Sequence, residues 1–225
     1  MVVSGIAGAV LAAAAVGFAD ADADPCAVPA AADHAAVGQG PSVTFIGDSW
    51  TVGVGATAHR GYAVLTGEQL GWTYQTLGVG GSGYTRPGAA RCTFGQRVDR
   101  AAGTHADLIV VQGSLNERRG SPEALAPAAL ATLTRLRDAA APQTQILVVG
   151  STYAPGTPNA TIDWINDGIA AAAEQLGLPF VDPAAEGWID ARDPKLWADL
   201  SHPNDAGYQV VADHMKDHLR GVLEP

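Results

Sequence analysis

The stretch FIGDSWTVG at residues 45–53 decides how the rest of the sequence is interpreted. Its first residues complete the run VTFI (43–46), which is apolar and β-branched and stops at Gly47. A short run of this kind, bounded by a glycine, is typical of a buried strand. Ser49 follows two residues after that glycine. It is either an ordinary turn residue or a nucleophile presented at the end of a strand, and the remaining sequence has to distinguish the two.

Apolar runs alternate with helical patterns along most of the chain. The predicted strands are 42–48, 72–79, 106–113, 144–152 and 178–184, and the predicted helices are 55–71, 94–103, 121–142, 159–177 and 204–221. This alternation predicts βαβ units, and therefore an α/β fold with a parallel sheet and helices on both faces. Ligands of such folds bind at the carboxyl ends of the strands, so the loops GDSW, GVGGSGYT and GSLNE become the first places to look for a site.

Length and charge restrict the class of protein. The chain has 225 residues and a formal net charge of −10. This length suits one domain with a tail. The sequence has no cluster of lysine and arginine to neutralise phosphates, so a nucleic-acid-binding surface is not expected.

The N-terminal part differs in composition from the rest. Residues 1–21 form an apolar run that ends in small residues, which predicts a secretory signal peptide or, in the competing interpretation, an apolar membrane anchor. Residues 22–41 are rich in Ala, Asp, Pro and Gly without periodicity and predict a flexible linker. The folded domain is expected over 42–222, and the protein is expected to be secreted or held in the cell envelope.

The sequence contains two cysteines, Cys26 and Cys92. In an exported protein they are expected to form a disulfide that ties the N-terminal tail to the loop RPGAARCTFG. The competing interpretation is two unpaired thiols.

Two patterns suggest ligand sites that their context does not support. GVGGSG (78–83) matches a dinucleotide-binding fingerprint, but Pro87 and Gly88 follow where that fingerprint requires a helix. No cluster of His, Cys, Asp or Glu has the spacing of a metal site. We therefore expect no cofactor and no metal.

A serine nucleophile needs a base, and His202 is the best-placed histidine. It lies in the stretch DLSHP, in the loop that enters the last helix, with Asp199 three residues before it. A carboxylate at this spacing can fold back to orient the imidazole ring. The competing interpretation is that Asp199 caps a turn and His202 is a surface histidine.

Acyl transfer also requires hydrogen-bond donors for the oxyanion. The backbone N–H of Ser49, an N–H of Gly80 or Gly81, and the side-chain amide of Asn116 all follow predicted strands. Each of these residues has a purely structural explanation as well, because glycine and asparagine are common in turns.

Four blocks together resemble the SGNH hydrolase superfamily, also called the GDSL esterases and lipases. They are GDSW, GVGGSG, GSLNE and DLSH, in the family's order, and the resemblance covers about residues 42–220. It implies a flavodoxin-like three-layer α/β/α sandwich whose five-stranded parallel sheet has the order 2-1-3-4-5. It implies these roles: nucleophile Ser49, base His202, orienting carboxylate Asp199, and oxyanion donors Ser49, Gly81 and Asn116.

Trp50 stands where the family usually has leucine, so the size of the acyl pocket is a separate question. Together with Tyr84 and Trp188, Trp50 is a candidate for lining a substrate groove. The resemblance implies a secreted serine esterase or lipase that acts through an acyl-enzyme. The alternatives are an acyltransferase or deacetylase on sugar or lipid hydroxyls and, less favoured, a non-catalytic glycan- or lipid-binding module. The expected partner is a small-molecule, lipid or glycan ester near a membrane or cell wall, and the expected state is a monomer.

Overall fold

The computed structural model describes Cys26 and residues 34–223. Strands and helices alternate through this region, as the sequence predicts. The strands are β1 (Ala35–Ala36), β2 (Ser42–Gly47), β3 (Thr73–Gly78), β4 (Leu108–Gln112), β5 (Gln145–Val149) and β6 (Phe180–Val181). The helices are α1 (Ser49–Val52), α2 (Tyr62–Leu70), α3 (Val98–Ala102), α4 (Pro122–Ala139), α5 (Asn159–Gln175) and α6 (Asp205–Leu223). Short 3₁₀ helices lie at Thr57–His59, Gly95–Arg97, Leu115–Arg119 and Pro194–Leu196.

The strands form one sheet with the order β1-β3-β2-β4-β5-β6. Strands β2 to β6 are parallel and follow the predicted order 2-1-3-4-5, and the α/β class is confirmed. The sheet differs from the prediction by one strand, because β1 adds an antiparallel edge and makes the sheet mixed. The carboxyl ends of β2, β3 and β4 lie side by side, so the loops that follow them meet at one edge.

The described part of the predicted linker is attached to the sheet rather than free. Ala35 pairs with Gln75 and Ala36 with Tyr74, and the N–H of His34 donates to Thr76 Oγ1 at 2.8 Å. The outer edge of β3 carries backbone N–H and C=O groups that need partners, and strand β1 supplies those partners. The predicted signal peptide or anchor at 1–21 lies outside the described residues.

Helices cover both faces of the sheet and bury two apolar cores. On one face α2 and α6 pack over Phe45, Val110 and Leu147. On the other face α3, α4 and α5 pack over Ile46 and neighbouring strand residues that point the opposite way. Alternate strand residues therefore face opposite cores, as a sheet between two helical layers requires. Within residues 34–223, none of the helices combines the length and the apolar character needed to cross a membrane.

Cys26 and Cys92 form a disulfide in the structure. Both cysteines are buried, and 66 residues of chain separate them. The bridge holds Cys26 beside the long loop that follows β3. That loop contributes Gly81 to the edge of the sheet described next.

Candidate active site

Ser49 stands at the point where β2 ends and α1 begins. A side chain at Gly47 would overlap the Thr51 side chain, so only glycine allows the chain to turn this tightly into the helix. Asp48 caps α1, because its Oδ1 accepts the N–H of Trp50 at 2.9 Å. The sequence places Ser49 at a strand end, and the structure presents its hydroxyl at the carboxyl edge of the sheet.

Ser49, His202 and Asp199 form a continuous hydrogen-bonded chain. Ser49 Oγ lies 2.9 Å from His202 Nε2, although 153 residues separate the two in sequence. His202 Nδ1 lies 2.8 Å from Asp199 Oδ2. Of the two competing interpretations of the DLSH stretch, the structure agrees with the one in which the carboxylate meets the ring.

Asp199 also accepts two backbone N–H groups on its other oxygen, from Ser201 at 2.7 Å and from His202 at 2.8 Å. Partial burial raises the pKa of this carboxyl. The hydrogen bonds from the His202 ring and from the two N–H groups outweigh burial, so the pKa lies below its ordinary value. Asp199 is therefore held as a carboxylate against the ring, which suits it to stabilising an imidazolium.

Two residues hold the loop that carries Asp199 and His202 in place, and the sequence does not predict this role for either of them. Trp50 Nε1 donates to the carbonyl of Ser201 at 2.9 Å. Gly55 has a φ of +94°, which favours glycine, and a side chain there would overlap the carbonyl of Pro203. Glycine at this position lets the loop approach closely enough for His202 to reach Ser49.

Asn116 lies on the 3₁₀ helix that follows β4, which begins at the capping residue Ser114. Its Nδ2 is 3.0 Å from the carbonyl of Ser82, 3.0 Å from Ser114 Oγ and 3.2 Å from Asp48 Oδ2. An amide nitrogen carries two hydrogens. In the structure these three oxygens share the two hydrogens and hold the amide at the cavity wall, so donation to a substrate oxygen requires the amide to exchange one of these contacts.

Asp48 is buried and joins the turn after β2 to the turn after β4. Besides the Trp50 N–H, it accepts the Ser114 hydroxyl at 2.9 Å. Burial raises the pKa of Asp48, and the Trp50 N–H, the Ser114 hydroxyl and the charges of His202 and Arg97 lower it in part. The sequence signal that could have identified Asp48 is its place directly before a helix, where unpaired N–H groups need an acceptor.

Arg97 is fully buried beneath the same loops, which no feature of the sequence pattern predicts. Its guanidinium donates to the carbonyl of Gly47 at 2.8 Å, to the carbonyl of Leu77 and to Ser82 Oγ at 2.8 Å. It therefore ties the end of β2 to the end of β3 and to the loop beyond it. Rigid support of this kind is what a preorganised site requires.

Glu117 makes a second connection between the loops. It is buried on the 3₁₀ helix and accepts the backbone N–H of Thr85 at 3.1 Å and also the Thr85 hydroxyl. Burial raises the pKa of Glu117, and the Thr85 hydrogen bonds oppose that shift. An aspartate at this position would be one methylene shorter, so this contact depends on the longer side chain of glutamate.

Two residues of the cavity wall have backbone N–H groups without a partner among the described residues. Within the described residues, neither the N–H of Ser49 nor that of Gly81 donates to another group of the chain. Both residues line the cavity, whereas Gly80 does not. Unpaired N–H groups at a helix start are a suitable site for a negative oxygen.

The cavity beside Ser49 has a volume of about 530 Å³, which falls in the range of small-molecule sites. The residues on its wall come from four loops. They are Asp48, Ser49, Trp50, Val54, Gly81, Leu115, Asn116, Arg118, Arg119, Asp199, Leu200, Ser201 and His202. All the residues to which the resemblance assigns a role therefore lie around one cavity.

The structure corrects two of the three expected groove aromatics. Trp50 lines the cavity, although it is mostly buried against Trp197 and Tyr208. Tyr84 instead packs in the core, and Trp188 is only 2% exposed. Both lie in loops near strand ends, where an aromatic ring gains more from burial than from exposure.

The comparisons with known proteins identify a family that matches most of the chain. Residues 45–210 match the GDSL-like lipase/acylhydrolase family. The chain is 32% identical to the GDSL lipase Rv0518 of Mycobacterium tuberculosis, in an alignment covering 76% of this chain and 78% of that protein.

Two solved structures share the fold. TesA aligns with a TM-score of 0.65 at 18% identity, over 80% of this chain and 99% of that chain. A family two carbohydrate esterase from Cellvibrio japonicus aligns with a TM-score of 0.67 at 16% identity, over 84% of this chain and 63% of that chain. Likeness at these identities shows the fold only. The family match and the Mycobacterium tuberculosis relative go further and confirm the resemblance seen in the four sequence blocks: the chain belongs to the GDSL-like lipase/acylhydrolase family of hydrolases.

Proposed function

We propose that this protein is an exported serine esterase that hydrolyses carboxylic esters through an acyl-enzyme. The observation that carries the proposal is the unbroken contact from Ser49 Oγ to His202 Nε2 and from His202 Nδ1 to Asp199 Oδ2. A serine hydroxyl is a weak nucleophile unless a positioned base removes its proton. This chain of contacts supplies that base and holds its ring.

In the proposed reaction His202 takes the Ser49 proton while Ser49 Oγ attacks the ester carbonyl carbon. The carbonyl oxygen becomes an oxyanion that the N–H groups of Ser49 and Gly81 and the Asn116 amide stabilise. His202 then gives its proton to the leaving alcohol, and the carbon–oxygen bond breaks. A water molecule attacks the acyl-enzyme in the same way, with His202 as base, and releases the acid and free Ser49.

Water is the acceptor that the site favours over an alcohol. The side chains of His202 and Asp199 are 21% and 55% exposed, so solvent reaches the base directly. An acyltransferase must keep water away from its acyl-enzyme. Product analysis with an added alcohol acceptor separates the two activities, and predominant ester transfer at moderate acceptor concentration would favour the acyltransferase.

Export is supported by two independent features. Residues 1–21 have the composition of a signal peptide, and the Cys26–Cys92 disulfide is of a kind that persists in oxidising compartments. N-terminal sequencing of the protein recovered outside the cytoplasm tests this part. Recovery of the intact N-terminus only from the cytoplasm would contradict export.

The esterase proposal is tested with Ser49→Ala on p-nitrophenyl esters of short and medium acyl chains. We expect turnover to fall to background, because the acyl-enzyme cannot form. Ser121→Ala is the matched control, since Ser121 lies at the start of α4 and its side chain does not cap that helix. Hydrolysis by the Ser49→Ala protein at the wild-type rate would refute the proposal, and so would the complete inactivity of the wild-type protein on every ester tried.

A further inference from the structure

Two neighbouring arginines, Arg118 and Arg119, lie on the wall of the same cavity as Ser49. They belong to the 3₁₀ helix Leu115–Arg119, which also carries Asn116. The sequence assigned them no role, and the proposed ester hydrolysis does not use them. Their place on the catalytic cavity of a strongly acidic protein calls for a physical explanation.

Neither guanidinium makes a hydrogen bond or an ion pair with another described residue. Some other arginines of the chain do, such as Arg60 with Glu68 and Arg135 with Asp99. Burial and the neighbouring charge of Arg119 both lower the pKa of Arg118, and the charge of Asp48 opposes them. Two adjacent positive charges at one wall cost free energy, and no ion pair within the described chain offsets that cost.

The acidic groups of the cavity wall are already engaged elsewhere. Asp199 accepts the His202 ring and two backbone N–H groups. Asp48 accepts the Trp50 N–H and the Ser114 hydroxyl. The guanidinium N–H groups of the two arginines are therefore available to a ligand in the cavity.

Another part of the wall is apolar. Leu200 is 67% exposed, which makes it one of only two large apolar side chains that the described residues leave exposed. Val54 and Leu115 line the cavity as well. A ligand that fills this cavity meets positive charge on one part of the wall and apolar surface on another.

We propose that Arg118 and Arg119 form a subsite for an anionic group on the ester substrate, a carboxylate or a phosphate. The preferred substrate then combines an apolar portion with a negative charge near the scissile ester. Arginine suits this task, because its planar fork of N–H donors matches the oxygens of carboxylates and phosphates. This inference rests on the proposed esterase function and adds the class of substrate.

The test uses esters that differ in charge but hardly in shape. For an anion in the acyl part, p-nitrophenyl hemiadipate is compared with p-nitrophenyl 6-methylheptanoate. For an anion in the alcohol part, 4-acetoxybenzoate is compared with 4-isopropylphenyl acetate. Each ester is assayed with wild-type protein, with the Arg118→Gln/Arg119→Gln double variant, and with Arg137→Gln, whose arginine pairs with Asp138 on α4 away from the cavity.

We expect the double variant to lose about tenfold or more in kcat/KM on the anionic ester of at least one pair, as the loss of a charge-assisted hydrogen bond implies. On the neutral ester of the same pair it should stay close to wild type. The affected pair locates the anion in the acyl or the alcohol part. Added salt should reduce the preference of the wild-type protein for the anionic ester, because the subsite is partly open to solvent.

Equal losses on anionic and neutral esters, or no loss on either, would overturn the subsite while leaving the esterase proposal intact. A binding experiment separates the two proposals further. The Ser49→Ala protein should bind at least one of the two anionic esters, 4-acetoxybenzoate or p-nitrophenyl hemiadipate, more tightly than the same protein carrying Arg118→Gln and Arg119→Gln, as calorimetry measures. Equal affinities of the two proteins for both esters would also refute the subsite, whether or not the wild-type protein hydrolyses esters.

Discussion

The two carboxylates nearest to Ser49 are held in opposite ways. Asp48 belongs to what we call the buried side of the site, formed by Asp48, Ser82, Arg97, Ser114 and Asn116. Asp199 belongs to the exposed side, formed by Asp199 and His202. Burial raises the pKa of Asp48, whereas hydrogen bonds lower the pKa of Asp199.

This difference separates the support of the site from its proton chemistry. The buried side links loops from three strands, so its side chains contribute both to the stability of the fold and to the position of the oxyanion donors. The exposed side depends on a local turn and on one long-range contact to Ser49. Substitutions on the exposed side should therefore change mainly the rate, with only a small effect on stability, and substitutions on the buried side should change both rate and stability.

The largest effect is expected from His202→Ala on the exposed side. Loss of the base should lower kcat by at least about 10²–10⁴-fold, the usual contribution of positioned proton transfer. The free energy of unfolding in urea should change by less than about 1 kcal/mol, because the ring is partly exposed. His218→Ala is a suitable control, since that histidine lies on α6 away from the cavity. A large loss of stability with His202→Ala would contradict the claim that the exposed side contributes little to the stability of the fold.

Asn116→Ala on the buried side should lower kcat by about 10²–10³-fold, the typical cost of one oxyanion donor, with little change in KM. It should also reduce stability, because it removes hydrogen bonds to buried oxygens. Asn159→Ala at the exposed start of α5 serves as the control. A rise in KM with unchanged kcat would show instead that Asn116 binds the ground state.

Arg97→Met should affect stability most. Removing the guanidinium leaves the carbonyls of Gly47 and Leu77 and the Ser82 hydroxyl without their buried donor, so we expect a loss of about 3 kcal/mol or more in the free energy of unfolding. Arg135→Met, at an exposed ion pair, should cost less than about 1 kcal/mol. Similar losses for the two variants would contradict the structural role of Arg97.

Asp199→Ala should slow the reaction by about 10–100-fold, less than His202→Ala does. The ring loses its hydrogen-bonding partner and the negative charge that stabilises its protonated form, but Nε2 can still act as the base. Steady-state assays on the same ester give the ratio directly. A rate as low as that of His202→Ala would show that the base does not work without the carboxylate.

The smallest effect is the pH dependence of stability at Asp199. Because its folded pKa lies below the ordinary value of about 3.9, the carboxylate stabilises the fold above that pH. This contribution is lost as the pH falls through the lowered pKa. Urea unfolding at pH 7 and pH 3 should therefore show a stability gap between wild type and Asp199→Asn that narrows at the lower pH.

The gap should be small, because the Asp199 side chain is 55% exposed and solvent screens its interactions. Asp217→Asn, at an exposed position of α6, is the comparison. A gap that widens on acidification would contradict the direction of the pKa shift.

The sequence predicts the parallel sheet well, because each of its strands is a continuous apolar run that ends at a turn signal. The edge strand Ala35–Ala36 was not predicted, because two alanines in a segment rich in Ala, Asp, Pro and Gly carry no strand pattern. Asp-x-x-His could be found as a pair because the contact is local in sequence. The contact of His202 with Ser49 could be expected only from the resemblance of the four blocks to the family.

The support of the site could not be predicted in the same way. Arg97 lies in a segment that resembles an ordinary polar helix, and only the packing of three loops around it shows that it is buried. Tyr84 and Trp188 both follow predicted strands in the sequence. An aromatic residue there can point into the core or into the cavity, and sequence alone does not fix the direction.

The central claim is that His202 activates Ser49 for attack, and labelling with a fluorophosphonate probe tests it most directly. Intact-mass and peptide analysis should show one adduct, on Ser49, in the wild-type protein. The Ser49→Ala protein should take up none, and the His202→Ala protein should react more slowly by about 10²-fold or more. An adduct on another residue, or equal labelling rates with and without His202, would contradict the claim.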